Sequence, residues 1–371
     1  MERCQGSVDE TDGSSSLSSS RSLQELLRAY SSDVGLCGLG FSSLEPTWFD
    51  VNHLQRRTLD GQRSTMNFTF RRPVRSCTPQ ATFPFARSII VGYHRYAPSA
   101  RGDGGGREAI VASYAMRDEY SVLRSKLEKL AELVRARGYR ATIVIDDNAL
   151  VDKAIARRSG QGWIGRNTLF LMNRSGPFVL VGSIVTDAEL EVDLPINRRS
   201  CGTCYRCVDA CPTGALDGRG GLDAERCLAW LLQKPGSFPH EFRSAVGRRI
   251  YGCDACLLSC PVGLPLQRGL DDQSEEGRSE VERRSDESVL PYSLIELLSL
   301  GDRELLERCR HFYVPKRDPN HLRRNLLLAL GNSEVPLLEA QGILERYLDS
   351  DNAVLSEQAR WSLEQLRLRS L

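Results

Sequence analysis

The chain has 371 residues, with 49 lysines and arginines against 48 aspartates and glutamates. This length suits two or three domains, and the balanced charge excludes an overall field that would attract a polyion to the whole surface. No apolar run reaches the ~18 residues that a membrane span requires, and the N-terminus lacks the apolar core of a secretory signal. Most of the twelve cysteines stand at metal-binding spacings, which indicates a reducing compartment. We therefore expect a soluble cytoplasmic protein without membrane contact.

The N-terminal part of the chain has the pattern of a mixed α/β domain. Residues 1–21 are rich in serine and poor in large apolar side chains, which predicts a disordered tail. Ser22 precedes a helical apolar period and is predicted to cap a helix. The other predicted elements are strands over 88–93, 141–145, 168–172 and 178–185, a hairpin turn over 173–177, and helices over 117–137 and 149–158.

An acidic pair, Asp146 and Asp147, follows the strand predicted over 141–145. In open α/β sheets, working residues gather beyond the carboxyl ends of the strands. We expect one carboxylate to cap the helix that follows, and this leaves the other free for chemistry.

The glycine-rich segment 160–165 matches the pattern G-x-G-x-x-G. We reject dinucleotide binding, because that fingerprint follows a strand and opens a helix. Here a helical stretch comes before the segment and a strand-like run comes after it. The glycines are expected to let the backbone pass close to a large flat ligand.

Eight cysteines have the spacing of iron–sulfur ligands. The run over 201–212 is C-x2-C-x2-C-x3-C-P, the bacterial ferredoxin spacing, in which three thiolates hold one cluster and the fourth ligates the other. The run over 253–261 is one thiolate short, and Cys227 can supply it. Cross-ligation predicts two 4Fe–4S clusters, one held by Cys201, Cys204, Cys207 and Cys260, the other by Cys211, Cys227, Cys253 and Cys256. Two tetrahedral zinc sites are the alternative; the third x2 step and both Cys-Pro ends favour the clusters.

The C-terminal part reads as helical. Residues 270–288 are charged and rich in serine, which indicates a linker. Helical periodicity over 292–309, 320–330, 335–348 and 353–369 is typical of paired HEAT-like helices. The predicted fold class is α+β, with a tail over 1–21, a mixed α/β domain over 22–190, a ferredoxin-like domain over 191–268, a linker over 269–290 and HEAT-like helices over 291–371.

Three groups of arginines each allow two interpretations. Each is either solvated surface charge or a contact with an anion such as a phosphate or a polyanion. The groups are Arg71, Arg72 and Arg75; Arg243, Arg248 and Arg249; and Arg323 and Arg324.

Five stretches of the chain resemble the epoxyqueuosine reductases, the enzymes that complete the queuosine base of transfer RNA. The similarity runs over roughly residues 22–265 and continues, in kind, into the C-terminal helices. The matching stretches are 145–150 (IDDNAL), 162–169 (GWIGRNTL), 201–216 (CGTCYRCVDACPTGAL), 223–227 and 249–254 (RIYGCD).

The resemblance implies that the α/β domain binds cobalamin close to the two 4Fe–4S clusters. Electrons would pass through the clusters to cobalt, and the epoxide oxygen would leave as water. The resemblance also implies a tRNA substrate; we expect an external electron donor of the ferredoxin or flavodoxin kind, and a monomer.

The same resemblance assigns roles to particular residues. The proton-donating aspartate of the family falls on Asp146, with Asp147 as the neighbouring alternative, and a desolvated pocket would keep such an acid protonated. The cobalamin-contacting arginine falls on Arg71, and Asp146, Asn167 and Thr168 are further candidates to line the corrin.

The chain departs from the family pattern before the long helix. Where the family has a glycine, an aspartate and a histidine, this sequence has Arg117, Glu119 and Ser121, and Arg166 replaces the usual lysine. These changes bear on the substrate and on corrin docking. Two other functions stay open: a related cobalamin and iron–sulfur reductase for another small molecule, or an electron carrier without a substrate. A pure carrier would need neither Asp146 at a strand end nor the Gly-Trp loop.

Overall fold

The computed structural model describes residues 22–46, 48–98, 106–173, 175–195, 199–264 and 293–370. The tail predicted over 1–21 and the linker predicted over 270–288 lie outside these ranges. Among the helices that are described, none is both long enough and apolar enough to cross a membrane.

The described chain contains short strands in its first two thirds and long helices at its C-terminal end. The strands are β1 (Gly38–Ser42), β2 (Ser88–Arg95), β3 (Ile110–Val111), β4 (Ala141–Val144), β5 (Gly162–Ile164), β6 (Phe170–Met172), β7 (Val179–Thr186) and β8 (Arg249–Tyr251). The helices are α1 (Leu23–Asp33), α2 (Trp48–Leu59), α3 (Pro73–Ser76), α4 (Glu119–Ala136), α5 (Asp152–Arg158), α6 (Arg206–Asp209), α7 (Leu228–Leu231), α8 (Ala255–Leu258), α9 (Leu294–Ser299), α10 (Asp302–Arg308), α11 (Pro319–Gly331), α12 (Leu337–Leu348) and α13 (Ala353–Ser370).

A four-stranded antiparallel sheet with the order β1-β2-β7-β4 forms the centre of the N-terminal part. Helix α4 packs on this sheet with a fully buried apolar stripe that includes Leu127. Gly92 and Gly182 are register partners on β2 and β7. A Cβ atom at either glycine would lie 2.6 Å from the Leu127 side chain. The two glycines therefore let the helix lie close to the sheet.

The predicted helix after Ser22 is confirmed. The backbone N–H of Glu25 donates to the Ser22 hydroxyl at 3.3 Å, and the Glu25 carboxylate accepts from the Ser22 N–H at 2.8 Å. This reciprocal capping box satisfies two of the unpaired N–H groups at the start of α1. The long helix predicted over 117–137 is also confirmed as α4, which stops before Gly138 at a φ of 84°.

Three local predictions in this region are wrong. The strands on either side of residues 173–177 do not pair as a hairpin, because β6 pairs with β5 while β7 lies in the central sheet. The tight turn itself does form: the Met172 N–H donates to Gly176 O at 3.0 Å, and the Gly176 N–H donates to Met172 O at 2.8 Å. Strand β4 is not buried along its length: it is an edge strand with only Val144 fully buried. The helix predicted from 149 begins at Asp152, because the residues before it form a turn.

A buried network of charged groups lies at the start of α4. Glu119 Oε2 is 2.8 Å from His94 Nε2, and His94 Nδ1 is 3.2 Å from Lys126 Nζ. Arg117 Nε donates to Glu119 Oε1 at 3.0 Å. All but Arg117 are at most 4% exposed. Two departures from the family pattern, Arg117 and Glu119, thus belong to the core of the α/β part.

Residues 199–264 contain short helices, turns and the short strand β8, and they are joined to both neighbouring parts. Strand β8 pairs in parallel with β3. The C-terminal helical segments are confirmed as α9 to α13, and α11 packs against α13, α9 and β8. Neither interpretation of Arg323 and Arg324 holds, because both lie buried on α11. Arg243 is likewise buried, and it donates to Phe238 O at 3.2 Å.

We predict that Glu119→Ala lowers the free energy of unfolding of the α/β part by about 3–5 kcal/mol, because it leaves buried cationic partners uncompensated. Asp118→Ala is the matched control. Asp118 accepts from the Ser121 N–H at 3.0 Å as the N-cap of α4, and its loss should cost only about 1 kcal/mol. Urea unfolding followed by circular dichroism measures both. Equal losses in the two variants would contradict a cooperative role for the buried network.

Candidate active site and cluster centres

The structure gathers four thiols from both cysteine runs into one group, called group one. Burial raises the pKa of Cys207, and the neighbouring charges of Cys201, Cys260 and Cys204 raise it further. Burial likewise raises the pKa of Cys260, with added contributions from Cys201 and Cys204. Helix α6, which carries Cys207, packs against α8, which ends just before Cys260. Cys260 is therefore grouped with the thiols of the run over 201–212, and not with Cys253 and Cys256 of its own run.

The remaining four thiols form group two. Burial raises the pKa of Cys256 well above its usual range, and the charges of Cys253, Cys227 and Cys211 add to this effect. Cys253 and Cys211 act on Cys227 in the same way, after burial. Three separate segments of the chain meet at group two.

Backbone N–H groups are aimed at the thiols. Burial disfavours a thiolate at Cys211, but hydrogen bonds from the N–H groups of Thr213 and Ala215 outweigh burial and lower its pKa. The second of these N–H groups lies 3.2 Å from the sulfur. In group one, the Arg166 N–H donates to Cys201 Sγ at 3.4 Å. Such donors stabilise thiolates, and hydrogen bonds to sulfur tune iron–sulfur clusters.

Across the described ranges, no three side chains of His, Cys, Asp or Glu converge on one metal-ion position. A tetrahedral zinc site needs four ligand atoms about 2.0–2.3 Å from one centre. The described thiols therefore do not form such a zinc site, and the spacing of the two runs favours clusters.

All four thiols of group two line one cavity of about 280 Å³. The cavity is bounded on the side of the α/β part by Met66, Lys153, Asn167 and Thr168. Most of its remaining wall is apolar, which is typical of a cofactor site. The other lining residues include Leu169, Pro212, Ala215, Leu216, Leu222, Leu228, Ala229, Trp230, Ala255 and Leu257.

The loop after the Gly-Trp motif joins both thiol groups. Besides its N–H contact with group one, Arg166 donates to Gly202 O at 2.7 Å, and its guanidinium lies 4.2 Å from the centre of the Tyr205 ring. The next residue, Asn167, is buried, and its amide nitrogen lies 3.5 Å from Cys256 O. Thr168 follows with a φ of 62°.

The two aspartates after β4 have different roles. Asp147 Oδ1 accepts from the Ala149 N–H at 2.8 Å, so Asp147 closes the turn before α5. Asp146 has no such local task, and its φ of 49° is a strained left-handed conformation for a residue other than glycine. Strain of this kind clusters at functional sites. The expected helix cap does not form, because the N-cap of α5 is Val151, which makes no side-chain hydrogen bond. Asp147 closes the preceding turn instead.

Asp146 lies in a concave, partly desolvated environment. Desolvation raises the pKa of Asp146, the charge of Lys153 opposes this, and the charge of Asp147 adds to it. Desolvation lowers the pKa of Lys153, whose Nζ donates to Thr168 O at 3.1 Å. Both side chains are nevertheless open to solvent. Accessibility combined with desolvation is a property of a cleft, where protein surrounds a group without covering it.

Further titratable groups surround Asp146. Burial raises the pKa of Asp152 to about 8, and the charge of Asp146 contributes. Burial also raises the pKa of Tyr120 and Tyr251, again with a contribution from Asp146. Asp146 therefore faces one carboxyl group and two phenols that hold their protons at neutral pH.

Sequence reasoning missed several of these residues. Asp152 and Lys153 would have been found if the helix had been started at 152, since both then stand in its first turn. Arg57 was missed as well: its charge helps to lower the pKa of Lys153, and its guanidinium stacks 5.3 Å from the centre of the Phe70 ring. No local sequence signal marks Arg57, because α2 reaches the site only through the tertiary fold.

Arg71 does not line the cavity. It ends a short 3-10 helix, Thr69–Arg71, and its side chain is exposed. Ser76 ties the following residues to the acidic loop, since its hydroxyl donates to Asn148 O at 2.6 Å. Arg71 therefore precedes a segment that is hydrogen-bonded to the loop of Asp146, but its own side chain does not line the cavity.

Comparisons with known proteins agree with this site. Residues 200–263 match the 4Fe-4S double cluster binding domain, so the chain is an iron–sulfur protein of the double-cluster class. The epoxyqueuosine reductase of Xanthomonas campestris pv. campestris is 31% identical over 350 residues, which are 91% of this chain and 95% of that one. The chain belongs to the epoxyqueuosine reductase family.

Two solved structures have the same fold. An epoxyqueuosine reductase with an epoxyqueuosine-modified tRNA-Tyr stem loop has a TM-score of 0.79 at 28% identity, over 93% of this chain and 90% of that one. The enzyme from Bacillus subtilis, with an aspartate catalytic loop swung out of its active site, has a TM-score of 0.75 at 25% identity, over 93% and 99%.

We predict that Asp152→Asn changes how stability depends on pH. In the folded protein, the pKa of Asp152 is raised from 3.8 to about 8. Between these values only the folded state holds the proton, so the wild type loses stability as pH rises through this window. The variant lacks this loss, and its unfolding midpoint relative to the wild type should rise between about pH 4 and about pH 8 and then level off. Thermal unfolding in matched buffers measures the difference.

The control for this experiment is Asn148→Ala, a neutral change in the same loop. Its difference from the wild type should stay constant over the same pH range. A constant difference for Asp152→Asn as well would show that this carboxyl group does not hold its proton in the folded protein.

Proposed function

We propose that this chain reduces the epoxide of epoxyqueuosine in tRNA to the alkene of queuosine. One observation carries the proposal: the cavity of group two is bounded by the Asn167–Thr168 loop and by Lys153, a neighbour of the desolvated acid Asp146. An electron-transfer centre and a proton donor are thus brought to one place. The solved relative with an epoxyqueuosine-modified stem loop supports the substrate.

The two thiol groups are the proposed ligand sets of two 4Fe–4S clusters. Group one would hold the first cluster and group two the second, as cross-ligation requires. The N–H donors at Cys201 and Cys211 suit anionic sulfur. An external donor of the ferredoxin or flavodoxin kind would supply the electrons.

Cobalamin is the proposed second cofactor, and at this site it would supply a reducing cobalt centre. A cavity of about 280 Å³ is at the lower limit of ligand pockets, which run from about 300 to 1,000 Å³. It therefore suits the second cluster, and the corrin would contact the residues at its edge. Those residues are Met66, Lys153, Asn167 and Thr168. A contact from Arg71 stays a prediction.

Asp146 would give a proton to the oxygen that leaves the substrate. The whole change consumes two electrons and two protons, converts the epoxide to an alkene and releases water. Desolvation raises the pKa of Asp146, which favours the protonated form that a general acid needs. Asp152, with a pKa of about 8, is placed to return a proton to Asp146 after each turnover.

The domain borders predicted from the sequence, and the HEAT-like nature of the C-terminal helices, are part of this proposal. Helix α13 packs against both α11 and α12, which supports a stacked helical arrangement. The arginines of α11 do not support tRNA contact, since both are buried. The case for a tRNA substrate rests instead on the family and on the solved complex of a relative.

The decisive assay uses tRNA that carries epoxyqueuosine, together with a reductant, cobalamin and anaerobically purified protein. Wild-type protein should convert the epoxide to queuosine, as read by mass analysis of digested nucleosides. Asp146→Asn should lose activity by about 10²–10⁴-fold, the usual contribution of a general acid. Both cofactors should remain bound, because Asp146 belongs to neither thiol group.

Asp147→Asn is the matched control for this assay. Its side chain can still accept from the Ala149 N–H, so the turn should persist and activity should stay within a few-fold of the wild type. If Asp147→Asn is the inactive variant, the roles of the two aspartates are reversed. If wild-type protein with both cofactors leaves the epoxide unchanged, the proposed substrate is wrong.

Cross-ligation predicts which cysteine variants resemble each other. Cys260→Ser should perturb the same cluster as Cys204→Ser, and Cys211→Ser the same cluster as Cys256→Ser. Electron paramagnetic resonance of the reduced protein, with iron analysis, distinguishes the two clusters. If Cys260→Ser instead matches Cys256→Ser, each run holds its own cluster and the pairing fails.

A further inference from the structure

Arg324 is a fully buried cation on α11 that is bonded to a different part of the chain. Its guanidinium donates to Lys234 O and Gly236 O at 2.6 Å each, to Leu231 O at 3.1 Å and to Leu232 O at 3.3 Å. All four acceptors belong to the end of α7 and the turn that follows it. One side chain therefore satisfies the unpaired carbonyls of that segment.

Two neighbours of Arg324 act on the same region. Asn325 Nδ2 donates to Leu232 O at 2.8 Å and to Ile250 O at 2.9 Å. His321 Nε2 lies 2.7 Å from Leu232 O. Burial, and then the charge of Arg324, lowers the pKa of His321 to about 4. His321 is therefore neutral, and Nε2 is its N–H donor.

The segments held by these side chains present two thiols of group two. Helix α7 starts directly after Cys227, and the Leu231 N–H donates back to Cys227 O at 2.9 Å. Ile250 lies in β8, three residues before Cys253. Apolar side chains of α7, α11 and α13 share one core, against which Cys253 packs. The C-terminal helices thus hold the backbone on both sides of the second cluster site.

The chemistry of Arg324 is specific to this task. Its hydrogen-bond acceptors are carbonyl oxygens and the Asn325 amide oxygen, and burial lowers its pKa to about 10. A planar guanidinium with five N–H groups can reach several carbonyls at fixed angles. A lysine ammonium is compact and has three donors, so it cannot reach the same set.

We propose that Arg324 is a positioning residue for the second 4Fe–4S cluster. It holds the segment after Cys227 directly, and it orients Asn325, which bonds to the strand before Cys253. This inference rests on the ligand set given under the proposed function. It assigns the helical part a role in keeping the electron path intact, separate from any role in substrate binding. Loss of Arg324 should release the second cluster and leave the first cluster in place.

The adjacent Arg323 provides a matched control. It is also buried on α11, but its guanidinium bonds within the helical part: to Tyr347 Oη at 2.8 Å, Leu300 O at 3.1 Å and Asp302 Oδ1 at 2.5 Å. Arg323→Gln should therefore loosen the helices without touching the segments that carry the thiols. Both substitutions remove one buried arginine from the same helix.

The experiment purifies wild-type protein, Arg323→Gln and Arg324→Gln without oxygen and measures iron and the spectra of the reduced clusters. Wild type and Arg323→Gln should carry about eight irons per chain, and Arg324→Gln about four, with only the first cluster's signal left. Arg324→Lys should bind the second cluster but release it faster to an iron chelator. If Arg324→Gln yields no soluble protein, the comparison of Arg324→Lys with Arg323→Lys replaces it.

Two results would overturn the inference. One is full retention of both clusters in Arg324→Gln with chelator kinetics like those of the wild type. The other is equal loss from both clusters in the two variants, which would indicate general unfolding. A wild-type protein that holds both clusters but does not reduce the epoxide would refute the proposed substrate and leave the role of Arg324 standing.

Discussion

The convergence of three distant chain segments on group two is the constraint on which the rest of this structure depends. Cys211, Cys227 and the pair Cys253 and Cys256 come from parts of the chain that have almost no regular structure. Short helices cannot hold such segments by their own hydrogen bonds, since helix nucleation is costly. The surrounding parts must do so. The α/β part closes one side with the Asn167 loop, and the C-terminal helices close another with Arg324 and Asn325.

A second constraint is electrostatic and concerns the edge of the cavity. As the proposed general acid, Asp146 needs a raised pKa while staying open to a substrate, and these demands conflict for an ordinary surface carboxylate. A cleft reconciles them, because nearby protein removes water without blocking access. The strained backbone at Asp146 and the turn closed by Asp147 show how the loop is shaped for this purpose. The positive charge of Lys153 opposes this rise in the pKa of Asp146, so desolvation and the neighbouring charges together set its acidity.

Much of this organisation could be read from the sequence, and the limits have physical causes. Cysteine spacing indicated which thiols group together, because ligand geometry is local and repeated. The capping signal at Ser22 and the apolar period of α4 were also sufficient to predict their helices, since each signal is a property of a single element. Pairing of β6 with β5, by contrast, is decided by tertiary contacts that no local pattern encodes. The same holds for burial: Arg324 looks like surface charge in sequence, and only the fold supplies its carbonyl acceptors.

The loop from Arg166 to Thr168 has a consequence for how the protein matures. Its backbone touches a sulfur of group one, and its buried amide touches the main chain of group two. The loop also forms one wall of the cavity of group two, at whose edge the corrin is proposed to lie. Its shape is therefore coupled to both thiol groups. Filling of the two cluster sites would then precede, or at least support, a well-formed contact surface for the corrin.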